Sequence, residues 1–163
     1  MEENYDVKLE FNVYELLLML SKYYSKQLGR EIKVQESHNL EYNYFRNEYY
    51  EERKPFVNVK IYYIEQLMIN GINATIETIV NDYNIRLALK DFLKGTDYEL
   101  DNFQFKSEIE KNWNCEIFGA IFTGMTVYLK VKGLQKRKLL GERQWKLEYL
   151  LVVLIPFIKD ILK

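Results

Sequence analysis

Apolar and polar residues alternate at the start of the chain. Val7, Leu9 and Phe11 fall on one side and Lys8 and Glu10 on the other, the signature of a half-buried strand. The period then changes. Leu16, Leu17, Leu20, Tyr23, Tyr24 and Leu28 recur at helical spacing, which predicts a helix from about Val13 to Leu28. Its ends are marked. Asn12 is placed to cap it, Glu15 to reach back as the capping-box partner, Phe11 to staple onto Leu16, and Gly29 to supply the left-handed stop.

Alternation resumes at Ile32 and Val34 and continues through Leu40, Tyr42 and Tyr44, predicting one or two strands between Glu31 and Phe45. The charged stretch Asn47–Lys54 reads as a loop. Past Pro55, residues Val57, Val59, Ile61 and Tyr63 share one face of a further strand. Asn70-Gly71 is a type I′ hairpin signal, because that turn needs positive φ at both central residues. Ile72, Ala74, Ile76, Thr78 and Val80 form the returning strand.

Asn81 or Asp82 can cap a second helix, with Ile85, Ala88, Leu89, Phe92 and Leu93 on its apolar face and Gly95 near its end. Tyr98 to Ile109 alternates again. Glu116 to Val131 reads as a long strand, with Ile117, Ile121, Met125, Val127, Leu129 and Val131 on one side. Gly119 and Gly124 inside it predict a bulge or bend. The C-terminal piece fits two periods. Trp145, Leu147, Tyr149 and Leu151 alternate, while Leu147, Leu151, Leu154, Ile158 and Ile161 fit a helical face; Pro156 favours a strand to about Ile155 and then a short helix.

The expected architecture is therefore α+β, in the order β-α-β-β-β-α-β-β plus a C-terminal strand or helix. Hairpin connections make the sheet mainly antiparallel, with the two principal helices packed on one face. The 163 residues suit one domain, and two prolines and seven glycines leave no room for a flexible linker.

Charge shifts the picture towards proteins as partners. Lys+Arg total 23 and Asp+Glu 24, without the basic excess that phosphate neutralisation normally brings to a nucleic-acid binder. A single cysteine, Cys115, an acidic N-terminus and no apolar run of spanning length together lead to the expectation of a cytoplasmic protein without a membrane span.

Few residues offer chemistry. Cys115 and His38 are the only cysteine and histidine, too few for a zinc site, and Cys115 reads as a small buried residue at a strand start. Ser37 and His38 are adjacent and would point to opposite faces of a strand, so no nucleophilic triad forms there. Phosphate-cradling glycine loops are absent, and no cofactor is expected. Asp97, Glu99 and Asp101, and Glu108 with Glu110, alternate; such acids either converge to hold a metal or form the solvated face of a sheet. The element order within 12–109 resembles the core of metal-dependent nucleases. Those proteins place a lysine two residues after an acid on the third core strand, and here Ile79 follows Glu77 at that spacing.

Two surfaces are candidates for binding. Tyr42, Tyr44, Arg46, Tyr49, Tyr50 and Arg53 form a tyrosine- and arginine-rich stretch of the kind protein interfaces enrich. It could also stack single-stranded bases, but Glu41, Glu48, Glu51 and Glu52 would repel phosphate, which favours a protein partner. Lys132, Lys136, Arg137, Lys138 and Arg143 form a basic connection that could meet nucleic acid or keep an edge strand soluble. The apolar C-terminal segment is a core element or a homo-oligomer seam. The expectation is a non-catalytic docking protein of inhibitor, immunity or adaptor type. The alternatives are a nucleic-acid binder and a carboxylate-dependent metal enzyme.

Overall fold

The structure is a computed structural model and describes residues 7–132. The expected order of elements is present: β1 (Val7–Asn12), α1 (Val13–Leu28), β2 (Gln35–Arg46), β3 (Glu51–Ile69), β4 (Ile72–Ile79), α2 (Asp82–Phe92), β5 (Tyr98–Lys111) and β6 (Ile117–Val131). The strands divide between two three-stranded antiparallel sheets, ordered β1-β6-β5 and β2-β3-β4. The C-terminal segment expected as strand or helix lies outside the described residues.

Both helices start where a side chain replaces a missing backbone partner. The Glu15 amide donates to Asn12 Oδ1 at 2.7 Å, and the Asn12 amide donates back to the Glu15 carboxylate at 3.4 Å. At α2 the cap is Asn81 rather than Asp82, its Oδ1 accepting from the Asn84 amide at 2.9 Å. Gly29 ends α1 at φ 68°, and its amide returns to the Ser25 carbonyl.

The segment after α1 departs from expectation. Ile32 and Val34 are buried as alternation requires, yet they are not part of a strand. Their amides donate to hydroxyls of the preceding helix, Ile32 to Ser25 Oγ at 2.8 Å and Val34 to Ser21 Oγ at 2.9 Å. Helix side chains thus satisfy the backbone that a neighbouring strand would otherwise pair. A single strand, β2, begins at Gln35.

One core joins all layers. Phe11 of β1, Leu16, Met19, Leu20 and Tyr24 of α1, Ile61 and Tyr63 of β3, Ile85, Ala88 and Leu89 of α2, and Phe122, Met125, Val127 and Leu129 of β6 are buried together. In the first sheet Val7, Leu9 and Phe11 stand opposite Leu129, Val127 and Met125, which in turn oppose Leu100, Phe103 and Phe105. The reverse face is polar, with Lys106 beside Glu10 at 3.4 Å and the Tyr128 hydroxyl donating to Gln104 at 3.4 Å.

The pairing of β5 with β6 shifts register at three places, one between Lys106 and Ser107, where Thr123 is skipped next to Gly124. This bulge changes which residues face inward. Phe122 is buried and meets Phe105 edge-on at 5.6 Å, whereas Ile121, expected on the inner face, is 41% exposed. Gly124 itself has φ 140°, and a Cβ there would lie 2.0 Å from the Phe11 carbonyl oxygen.

The second sheet is offset. β2 pairs with β3 over Glu51–Tyr62, and β4 pairs with the other edge over Tyr62–Ile69. The two ladders share only Tyr62. At a rise of about 3.3 Å per residue, the 19 residues of β3 span roughly 60 Å, and most of that length is a two-stranded ribbon. The hairpin between β3 and β4 turns on Asn70 (φ 49°) and Gly71 (φ 79°), as the type I′ signal requires.

Candidate functional site

The outer half of the β2–β3 hairpin gathers the tyrosine-rich residues. The stretch expected as a loop from Asn47 to Lys54 is only a short turn, because Glu51–Lys54 continue the ladder opposite Asn43–Arg46. Asn47 makes that turn possible. Its Oδ1 accepts from the Tyr49 and Tyr50 amides at 2.8 and 2.9 Å, while its own amide donates to the Tyr50 carbonyl.

Register then sorts the side chains. Tyr42, Tyr44 and Arg46 lie on one face, and the residues directly across from Tyr44 and Arg46 are Arg53 and Glu51. The Arg53 guanidinium sits 4.5 Å from the Tyr42 ring centre and 5.2 Å from that of Tyr44. On the opposite face the Lys54 ammonium lies 5.5 Å from the Phe45 ring and 4.0 Å from Glu52. Every residue from Asn43 to Lys54 is exposed, so neither face of the outer ribbon rests on the core. Tyr44 is 63%, Tyr49 88% and Tyr50 59% exposed.

The other sequence candidates are not drawn together. Lys130 pairs with Asp101 at 3.4 Å. Lys132 is exposed, and its backbone amide donates to the Asp97 carbonyl at 2.7 Å. Lys136, Arg137, Lys138 and Arg143 lie outside the described residues. The register shift between Leu100 and Asn102 interrupts the alternation of Asp97, Glu99 and Asp101. Among the described residues no three of His, Cys, Asp and Glu are placed to hold a metal ion. Glu77 forms an ion pair with Lys60 across the sheet.

His38 is exposed, and its Nδ1 lies 2.9 Å from Glu36. Cys115, expected as a buried residue, is exposed in the β5–β6 turn at φ 61°. That turn is organised by Asn112, whose Oδ1 accepts from the Asn114 and Glu116 amides, each at 2.9 Å. The tight Asx geometry leaves Cys115 outside the sheet.

Two features were not anticipated. The β5–β6 turn presents Trp113 at 90% exposure, and its isolation among polar residues from Lys111 to Glu116 was the available signal. A groove of about 420 Å³ also runs between the helices, lined by Phe11, Leu18, Met19, Tyr23, Ala88 and Phe92. Its signal was the width of the α1 apolar stripe, which includes Leu18 beyond the buried positions.

Two tyrosines have shifted acidity. Burial raises the Tyr24 phenol to about 12, with Tyr63 and Tyr23 adding to the effect. Burial also raises Tyr98, helped by Asp97. Neither lies on the exposed ribbon.

Comparison with known proteins returns no match to any family model, curated protein or solved structure. Among the described residues no helix is long and apolar enough to cross a membrane.

Proposed function

We propose that this protein is a non-catalytic docking protein that grips a protein partner with the outer β2–β3 ribbon. One observation carries the reading: Tyr44, Phe45, Tyr49 and Tyr50 stand exposed on a two-stranded arm that the core does not need. Arg53 and Lys54 use the Tyr42, Tyr44 and Phe45 rings only in part, and the rest of this aromatic surface stays open for another surface to cover. Tyrosine and arginine are the side chains that dominate binding energy at protein interfaces, and Arg53 is already stacked on two rings.

Charge supports a protein as the partner. Glu48, Glu51 and Glu52 accompany Arg46, Arg53 and Lys54 on the ribbon, a mixture that complements a mixed protein surface and opposes a phosphate backbone. A partner strand also has an edge to join. Among the described residues no strand pairs the edge of β3 away from β2 between Glu51 and Lys60.

The test compares tagged wild-type protein with a Tyr44→Ser/Tyr49→Ser/Tyr50→Ser variant in capture from host lysate. Wild type is expected to retain a near-stoichiometric protein that resists nuclease. The variant, with an unchanged circular dichroism spectrum, should lose it by more than about tenfold, as removal of interface hot spots does. Equal capture by both proteins, or capture abolished by nuclease, overturns the proposal.

A further inference from the structure

The groove between α1 and α2 has an apolar floor and a partly open mouth. Met19 and Ala88 are buried at its base, while Leu18 is 40% and Phe92 49% exposed at its rim. Phe92 meets Phe11 edge-on at 5.5 Å, and Lys26 reaches Asp91 at 3.4 Å to bridge the helices. The α1 side is a single stripe from Glu15 to Lys26, about 16 Å long at 1.5 Å per residue. That length accommodates one short segment of chain.

We propose that residues 145–163 of the same molecule cover this groove. The first support is where the described chain ends. The Lys132 amide donates to the Asp97 carbonyl, so the chain leaves beside the turn that terminates α2. Five residues separate Asp97 from Phe92 on the rim, a separation of at most about 17 Å. The second support is length. The twelve residues 133–144 can extend to about 40 Å, so reach does not limit delivery of the following segment.

The third support is composition. Leu150 to Ile158 is the longest apolar run in the chain. Whichever period the segment adopts, one side carries Leu147 and Leu151, so an apolar face needs cover in either case. The preceding stretch carries Lys136, Arg137, Lys138 and Arg143, which suits a solvated connector. An apolar segment tethered near an apolar groove finds it at a high effective concentration, ahead of any free partner.

The test uses the full chain with Cys115→Ser, so that one introduced thiol can carry a benzophenone cross-linker. Leu18→Cys places it at the groove, and Tyr14→Cys, 74% exposed on α1, serves as the control. After irradiation at low protein concentration, mass spectrometry should locate cross-links from position 18 within residues 145–163 of the same molecule, and far fewer from position 14. A further Leu154→Asp change should lower that yield by about tenfold, the factor expected when one buried leucine contact is lost, while circular dichroism shows the fold retained. Four results overturn the proposal: cross-links to other segments, equal yields from both positions, cross-links between two copies, or no cross-link.

Discussion

Tyr24 shows how one side chain can oppose the core that holds it. The residue is 9% exposed and packs on Tyr63 at 4.9 Å and on Tyr23 at 5.3 Å, yet its hydroxyl has no hydrogen-bond partner among the described residues. A buried hydroxyl left unpaired costs about 1–3 kcal/mol, so Tyr24→Phe should stabilise the protein by about 1 kcal/mol in urea unfolding. The same residue makes an alkaline prediction. The unfolded chain gives up this proton near pH 10, but the folded protein holds it to about 12. Stability associated with the neutral phenol is complete below pH 10 and falls as the pH rises towards 12. Tyr24→Phe should flatten that decline, leaving the smaller part due to Tyr98. A decline of unchanged steepness would show that Tyr24 does not drive it.

At the scale of elements, β6 depends on a residue without a side chain. Gly124 stands opposite Asn12, in backbone contact with the Phe11 carbonyl, at the point where β1 gives way to α1. Gly124→Ala forces an alanine into a conformation it avoids and a Cβ into that oxygen. It should cost roughly 3 kcal/mol in chemical unfolding, whereas Gly71→Ala, with open space around its Cβ position, should cost less because only backbone strain applies.

These elements differ in how clearly the sequence announces them. The ends of α1 are legible because Asn12, Glu15 and Gly29 each meet a local backbone need. The same holds for Asn70-Gly71. The inward turn of Phe122 is not legible, because the bulge at the adjacent Thr123 reverses the period and a glycine marks only its neighbourhood. The exposed position of Cys115 escapes for a related reason: the turn is set by one Asn112 side chain rather than by apolar spacing. The tyrosines of the candidate site are plain in the sequence. Their placement on a projecting ribbon depends on strand offset, which the registers of the two hairpins set and alternation alone does not reveal.

For the whole molecule, the end of α1 and the second sheet are tied by more than the core. Arg30, just past α1, makes a two-pronged contact with Glu65 on β3, one prong at 3.0 Å. Arg30 holds the Glu65 carboxyl below its ordinary value. The unfolded carboxyl titrates near 4.5, so the stabilisation is complete above that pH and drains away as the pH falls through the lower folded value. Wild type should therefore lose stability on acidification more steeply than Arg30→Met. Parallel acid profiles for the two proteins would show that the contact contributes nothing to the fold.

The pairing of Val7 with Leu129 has a consequence for how the protein is made. A ribosome completes β1 first and β6 more than a hundred residues later, so the opening strand has no seat during most of synthesis. The β2–β3 and β3–β4 hairpins can close locally as they emerge, but β1 must wait for its partner. Until then Val7, Leu9 and Phe11 lie in the nascent chain without the β6 residues that cover them. β1 is thus made well before the strand that covers it, and nascent chains released before Leu129 would leave that seam open.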